Sequence, residues 1–410
     1  MPELTFPPHA FLQGQTNVAA SASPPKILLY SHDTFGMGNI RRTLLISEEL
    51  TARYPGSSIL IITGSPMIHA FRIPEGIDYI KLPCLDRVEA ERYVPRHLTG
   101  CPKEVNETRA AILKESILRF DPDLMIVDKR AGGVGGELLP ALAAIRGSGR
   151  QTKLVLGVRD ILDEPERTRK VLAEDGSFGT IDRFYDEVWI YGCSAIFDTV
   201  REYGFPESVA RKTYYCGYLK RPVVTTEPAG GPPRILVTTG GGGDGSPMIE
   251  AYLAGLSTLP RKIALRTTVI FGPQMPATRR HDFRQNFSYL ADVTFLDFEA
   301  ELSQQYAQAD LVISQAGYNT VCELLSFSRR AILIPRAYPV REQLIRARLL
   351  NALGLFELIE PEDLNSEFVI SKVMAVLNSH PAAAGTLDLD GLPRLGQRVA
   401  SLLEQQRWAA

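Results

Sequence analysis

Apolar runs rich in Ile, Leu and Val alternate along this chain with segments whose apolar positions recur at helical spacing. In the first half the runs lie at 26–31 (KILLYS), 58–63 (SILIIT), 78–82, 123–128 (DLMIVD), 153–158 and 187–191. Runs this continuous are buried on both faces, and their alternation with helices predicts a doubly wound α/β layer around a parallel sheet. Residues 84–103 show no clear period and read as a loop over the sheet's ligand-binding edge. The rhythm stops at 221–233 (RPVVTTEPAGGPP), whose Pro, Thr and Gly mark a linker. It restarts with runs at 235–239, 267–271, 293–296, 311–314 and 331–335, and 395–408 carries apolar residues at the spacing of a terminal helix. The expected organisation is a loose arm over 1–25, a first α/β domain over 26–220, the linker, a second α/β domain over 234–394 and a closing helix over 395–410.

Length agrees with two domains, since 410 residues exceed what one core usually supports. A content of 45% hydrophobic and 22% charged residues is that of a soluble globular enzyme and excludes disordered and collagen-like classes. The formal net charge is -2 and Lys and Arg are dispersed, so nucleic acid is not an expected partner. Five cysteines (Cys84, Cys101, Cys193, Cys216, Cys322) stand apart, without CxxC pairs or nearby His. They suggest neither a zinc site nor a disulfide framework, and fit a reducing, cytoplasmic setting. The first 25 residues lack the basic start and apolar core of a secretion signal. No stretch approaches the ~20 apolar residues that span a bilayer, which leaves only peripheral contact with a membrane surface open.

The candidate chemistry is concentrated in the second domain, where two strands each run into a turn of small residues and then a helix. The first turn is Gly240, Gly241, Gly242 and Gly243, followed by Asp244, Gly245 and a helix from about Ser246. Adjacent glycines let the backbone approach a phosphate, and a helix N-terminus offers free N–H groups and positive potential. The alternative is a flexible loop without a ligand. The second turn, QAGYNT over 315–320, leads into VCELL. Here Asn319 or Thr320 can cap the helix, and Glu323 follows Asn319 by about one turn. Its carboxylate can accept two hydrogen bonds from a ribose diol or act as a capping group.

The segment 310–325 (DLVISQAGYNTVCELL), with AILIPR at 331–336 and Glu342–Gln343, resembles the donor-binding region of the GT-B glycosyltransferases. It is most similar to the inverting group that includes the peptidoglycan N-acetylglucosaminyltransferase. YSHDTFGMGNIRR over 30–42 and VRDILDEP over 158–165 resemble a predicted bacterial glycosyltransferase branch of that group. The resemblance implies two Rossmann-like domains facing across a cleft. It also implies a nucleoside diphosphate sugar, a UDP-sugar, as donor substrate and a hydroxyl acceptor that is lipid-linked, polysaccharide or small. Gly240, Gly241, Gly242, Gly243, Gly317, Asn319 and Thr320 would hold the diphosphate, Glu323 the ribose, and Glu342 and Gln343 the sugar. A solvated first turn of a helix over 340–353 is the alternative for the last two.

The first-domain turn FGMGN over 35–39 lacks the third glycine of a dinucleotide fingerprint, since Arg41 occupies that place. The next strand ends in Thr63 and Gly64, not an acid, which excludes a dehydrogenase. In the resembling family this turn, with Gly36 and Gly38, faces the acceptor and the donor diphosphate, and it is commonly followed by a histidine. Asn39 stands there, and an amide takes no proton at neutral pH. His32, Asp33 and Asp128 fall at the sheet's carboxyl edge and are the candidate bases; a structural histidine and a turn-forming aspartate are the alternatives. Asn39, Arg42, Arg159 and Asp160, with Asp163 and Glu164, would line the acceptor side or serve as exposed charges. Arg41 and Arg42 would meet an anionic acceptor or solvate their helix, and the glycine turn 132–137 (GGVGGE) would shape the same edge. The DxD triplet Asp388–Asp390 reads as a loop and cap, so no metal and no cofactor are expected. The predicted activity is inverting hexosyl transfer in polysaccharide or glycolipid biosynthesis. A nucleotide-sugar 2-epimerase and a non-catalytic nucleotide-sugar-binding subunit are the rivals.

Overall fold

A computed structural model describes residues 23–32, 38–89, 92–226, 230–260, 262–379 and 387–409. The arm over 1–22, Asp33 and Gly36 lie outside the described residues. The first domain contains β1 (Lys26–Ser31), β2 (Ser58–Thr63), β3 (Ile77–Lys81), β4 (Leu85–Glu89), β5 (Arg92–Pro95), β6 (Leu124–Asp128), β7 (Lys153–Arg159), β8 (Glu187–Tyr191) and β9 (Thr213–Tyr215). Its main sheet has the order β3-β2-β1-β6-β7-β8-β9, with every neighbouring pair parallel. The second domain contains β10 (Arg234–Thr238), β11 (Arg266–Ile270), β12 (Val293–Leu296), β13 (Leu311–Ser314), β14 (Ala331–Leu333) and β15 (Glu357–Leu358). These form a parallel sheet in the order β12-β11-β10-β13-β14-β15.

Helices cover both faces of each sheet, which is why strands such as β6 and β8 are buried at every position. A residue on such a strand has no solvent side, so the sequence shows a run instead of an alternation. In each sheet the order reverses beside the first strand, between β1 and β6 and between β10 and β13. A crevice opens at the carboxyl ends of strands at such a reversal, and ligands of open α/β sheets bind there. The registers Ser31↔Asp128 and Thr238↔Ser314 fix which residues flank the two crevices.

Residues 84–103 are not the expected loop. They hold the antiparallel pair β4 and β5 and the start of the helix Pro102–Phe120. The hairpin stands apart from the large sheet and packs on one side only, Leu85 meeting Val105 and Val134, so it lacks the long apolar run that marks the other strands. The short edge strands β9 and β15 were likewise without a run.

The last helix, Gly391–Ala409, starts earlier than the apolar spacing predicts and packs on the first domain. Leu392, Leu395, Val399, Leu402 and Leu403 enter the same cluster as Leu45, Ile46 and Trp189. Arg398 pairs with Glu187, which also accepts from the Trp189 indole N–H at 2.6 Å. Asp388 of the DxD triplet pairs with Arg394, whose guanidinium reaches the Cys216 carbonyl at 2.9 Å. The triplet thus anchors the helix. Leu395→Ala should destabilise the first domain by about 2–5 kcal/mol, measured as a lower urea midpoint of tryptophan fluorescence at unchanged slope.

Candidate functional site

At the first crevice, the helix Gly38–Arg53 carries Arg42 over the end of β6. One guanidinium nitrogen of Arg42 reaches both Asp128 oxygens, at 2.7 and 2.6 Å, and the Asn39 side-chain oxygen at 3.1 Å. The guanidinium lies 5.7 Å from the ring centres of both Tyr191 and Tyr318. Arg42 is 1% exposed, so it neither solvates its helix nor reaches an acceptor. It is a buried partner of Asp128, and both oxygens of that carboxylate are committed to the pair. His32, at the end of β1, is 5% exposed, and its Nδ1 has no partner among the described residues. Burial, then Lys129 and Arg130, push this imidazole well below its ordinary range and keep it neutral. The turn 132–137 ends in Glu137, which is buried against Arg109 and Tyr30.

At the second crevice the glycine turn has a packing reason of its own. Gly242 adopts φ +92°, and a Cβ there would strike the carbonyl oxygens of Phe271 and Gly272. Gly240 has φ +65° with open space around it. The loop reading therefore accounts for Gly242, whereas Gly240 leaves its face of the turn clear. Asp244 accepts from the Gln315 amide at 3.0 Å and faces Arg336 at 3.4 Å, so the ends of β10, β13 and β14 converge. The helix Tyr318–Ser326 has Gly317 at its N-cap and no side-chain cap. Neither Asn319 nor Thr320 caps it: the Asn319 amide instead donates across the cleft to the Gly38 carbonyl, at 2.9 Å. An uncapped first turn leaves N–H donors for an anion.

That cross-cleft bond lays the helices 38–53 and 318–326 side by side with their N-termini at the same end. One turn further, Arg41 pairs with Glu323. Glu323 is 4% exposed, and its second oxygen has no partner among the described residues. It lies on the wall of a cavity of about 530 Å³ between the domains, lined also by Arg41, Glu48, Arg221, Glu301 and Tyr306. Burial, then the neighbouring Glu323, push the Tyr306 hydroxyl well above its ordinary value, so it stays protonated as a donor.

The remaining expected site residues form an interdomain lock. Arg346, fully buried, donates to both Asp160 oxygens at 3.1 and 2.7 Å, to Glu342 at 3.1 Å and to the Ala316 carbonyl at 2.9 Å. The Tyr218 hydroxyl donates to Asp160 at 3.1 Å. Arg159 and Arg336 approach Glu342 at 3.4 and 3.3 Å. Asp160 is therefore walled in, not presented to an acceptor. Asp163 and Glu164 are tied to Arg341 of the second domain: Asp163 accepts from its backbone N–H at 2.8 Å and the part-exposed Glu164 from its guanidinium at 2.6 Å. Glu342 and Gln343 are both buried, which rules out the solvated helix turn. Gln343 reaches the Arg336 N–H at 3.4 Å. Sequence reading missed Arg346, Arg221, Gln315 and Arg336. Only Arg346 carried a local signal, its i,i+4 spacing from Glu342.

Residues 235–386 match the Glycosyltransferase family 28 C-terminal domain. The UDP-N-acetylglucosamine--N-acetylmuramyl-(pentapeptide) pyrophosphoryl-undecaprenol N-acetylglucosamine transferase of Thermodesulfovibrio yellowstonii is 34% identical over 125 residues, 29% of this chain and 33% of that one. The protein of that name from an Anaeromyxobacter species is 30% identical over 169 residues, 38% of this chain and 43% of its own. The chain thus aligns with less than half the length of these curated relatives. Among solved structures, MurG of Acinetobacter baumannii superposes with a TM-score of 0.56 at 16% identity, covering 93% of this chain and 100% of that one. The UDP-GlcNAc 2-epimerase of Methanocaldococcus jannaschii gives 0.56 at 13%, covering 93% and 99%. CalG4, the calicheamicin glycosyltransferase, gives 0.55 at 13%, covering 94% and 95%. At these identities the likeness establishes the fold: two Rossmann-like parallel-sheet domains in the GT-B arrangement.

Asp160→Ala leaves Arg346 buried with half its partners, and should cost about 3–5 kcal/mol in thermal or chemical unfolding. Glu342 is buried, yet Arg159, Arg346 and Arg336 hold its carboxyl down at about 2. A group lowered on folding stabilises above its unfolded pKa of ~4.3 and loses that contribution as pH falls through the folded value. Glu342→Gln should therefore flatten the loss of stability between about pH 4.3 and 2, read from unfolding midpoints across that range.

Proposed function

We propose that this chain is a glycosyltransferase that moves a hexose from a UDP-linked donor to a hydroxyl acceptor with inversion. The observation that carries the reading is the meeting of two strand-order reversals, each with a helix N-terminus, around the half-paired Glu323. The match of the second domain to family 28 supports transfer over epimerisation, and the fold is common to both. In this reading the uncapped turn Gly317–Thr320 and the open face at Gly240 receive the diphosphate, Glu323 accepts from the ribose diol, and Gln343 lies toward the sugar. The acceptor oxygen attacks the anomeric carbon as its bond to the diphosphate breaks, and the proton passes to His32 Nδ1. Negative charge growing on the leaving nucleotide meets the N-terminal N–H groups of two helices, which favours the transition state. The acceptor lies on the first-domain side beside Gly38 and Asn39. It is lipid-linked, polysaccharide or small, in a cytoplasmic setting that allows peripheral membrane contact; no helix among the described residues is long and apolar enough to cross a membrane.

UDP should raise the melting temperature of the wild type, and Glu323→Ala should weaken UDP binding by about 10–100-fold, the worth of hydrogen bonds to a charged group. Unchanged binding in the variant removes the ribose assignment; conversion of the donor without any acceptor points to an epimerase. His32→Gln should lower kcat by roughly 10²–10⁴-fold while UDP binding stays within twofold. Because burial and the neighbouring cations lower His32, the acid limb of kcat/KM in the wild type should fall below the ordinary histidine pKa of ~6.5. An acid limb at or above that value, or one that survives in His32→Gln, argues against His32 as the base.

A further inference from the structure

Glu323 has two claimants. In the structure its carboxylate is paired with Arg41, which reaches it from the other domain. In the proposed function the same carboxylate accepts from the ribose. A second cation stands beside the pair: Arg221, the first residue after the first domain, donates to the Arg41 carbonyl at 3.2 Å, and its backbone N–H donates to Ser326 at 2.8 Å. Among the described residues Arg221 has no carboxylate partner within ion-pair distance, and its Nε is buried without a hydrogen bond. Burial, then the nearby Arg41, lower its hold on the proton. Arg41 and Arg221 both act on Glu323, and Arg221 also acts on Glu48 of the same cavity wall, so the Glu323 carboxylate keeps a neighbouring cation when the Arg41 guanidinium turns away.

We infer that Arg41 changes partner on donor binding: the ribose diol displaces it from Glu323, and its guanidinium turns to the donor diphosphate. This rests on the donor reading above. The geometry is suited to the exchange. Asn39 and Arg41 lie on the first turn of one helix, Asn319 and Glu323 on the first turns of its neighbour, and the Gly38–Asn319 bond fixes the two helices in parallel. A carboxylate and the turn that receives phosphate are thus about 5.4 Å apart along the axis, a distance an arginine side chain covers by changing rotamer. Arg221, holding the Arg41 carbonyl, keeps the backbone in place while the side chain moves. Arg41 acts as a positioning residue that couples nucleotide occupancy in the second domain to the first domain's helix. A nucleoside alone, with the diol and no phosphates, breaks the Arg41–Glu323 pair and offers nothing in return.

The test compares uridine and UDP by calorimetry on the full chain, with Arg41→Gln and Arg41→Lys. Removing the competitor should make uridine bind Arg41→Gln severalfold more tightly than the wild type, while UDP gains nothing or weakens. The preference for UDP over uridine should fall severalfold or more. Arg41→Lys keeps the charge and should retain most of that preference, with kcat lowered more than KM is raised. If both ligands change by the same factor in Arg41→Gln, Arg41 is only a structural latch and the inference is overturned. A wild type that binds neither ligand overturns the donor reading itself. That result is distinct, because it is seen before any variant is made.

Discussion

The Arg346 guanidinium fixes how the two domains meet. It has no access to water, and its charge is matched by Asp160 from the first domain and Glu342 one helical turn before it in the second. Burial alone would weaken its hold on the proton; Asp160 and Glu342 outweigh that and raise it. Each ion is tolerable only while the others are present, since a single buried charge costs several kcal/mol. The cluster therefore contributes less to net stability than to orientation. Apolar residues of the same volume could fill the space, but they would accept a sliding contact. Fixed hydrogen bonds to Asp160, Glu342 and the Ala316 carbonyl do not.

That orientation sets the position of everything at the cleft. Ala316 belongs to the turn between β13 and the helix Tyr318–Ser326, so the lock grips the second crevice directly. The Tyr318 ring continues the contact: it stacks on Tyr218 at 6.0 Å and lies under both Arg42 and Arg346. Arg42 in turn holds Asp128 at the end of β6. A continuous series of charge and ring contacts thus runs from the second domain to the floor of the first crevice. Asp128 and Asp160 both support this framework, and His32, whose Nδ1 has no partner among the described residues, stands beside it.

How much of this could be read in advance depended on whether the information was local. Strands β1, β2, β8, β12 and β13 fall where their apolar runs predict, because burial on both faces writes itself into consecutive residues. The helix carrying Glu323 was legible from a strand, a small-residue turn and the next carboxylate, all within thirteen residues. The hairpin β4–β5 was not, since LDRVE and RYVP mix charged and apolar residues and hold no apolar run. The interdomain pairs were beyond reach for a stronger reason. Arg41 and Glu323 are separated by 282 residues, Asp160 and Arg346 by 186, and nothing in the neighbourhood of either partner specifies the other. Sequence reading consequently gave Arg42, Asp160 and Glu342 the roles of exposed or ligand-facing charges. The types of residue were right for a polar cleft; their commitments to one another were invisible.

Two chain crossings join the domains, and they lie side by side. Residues near 219 pass toward the second domain and residues near 390 return, with Leu219 bridged to Asp390 and the Gly391 N–H donating to the Tyr218 carbonyl at 3.1 Å. A Cβ on Gly391 would strike the carbonyls of Gly217 and Tyr218, so the two crossings are in contact and must bend together. Paired crossings act as a hinge with one axis, whereas a single strand would leave the domains free to twist. Tyr218 sits in this hinge by its backbone and in the lock by its hydroxyl, which meets Asp160. Any opening that rotates the hinge must therefore draw that hydroxyl from the buried carboxylate. The lock and the hinge thus share one residue, Tyr218, and are mechanically one element.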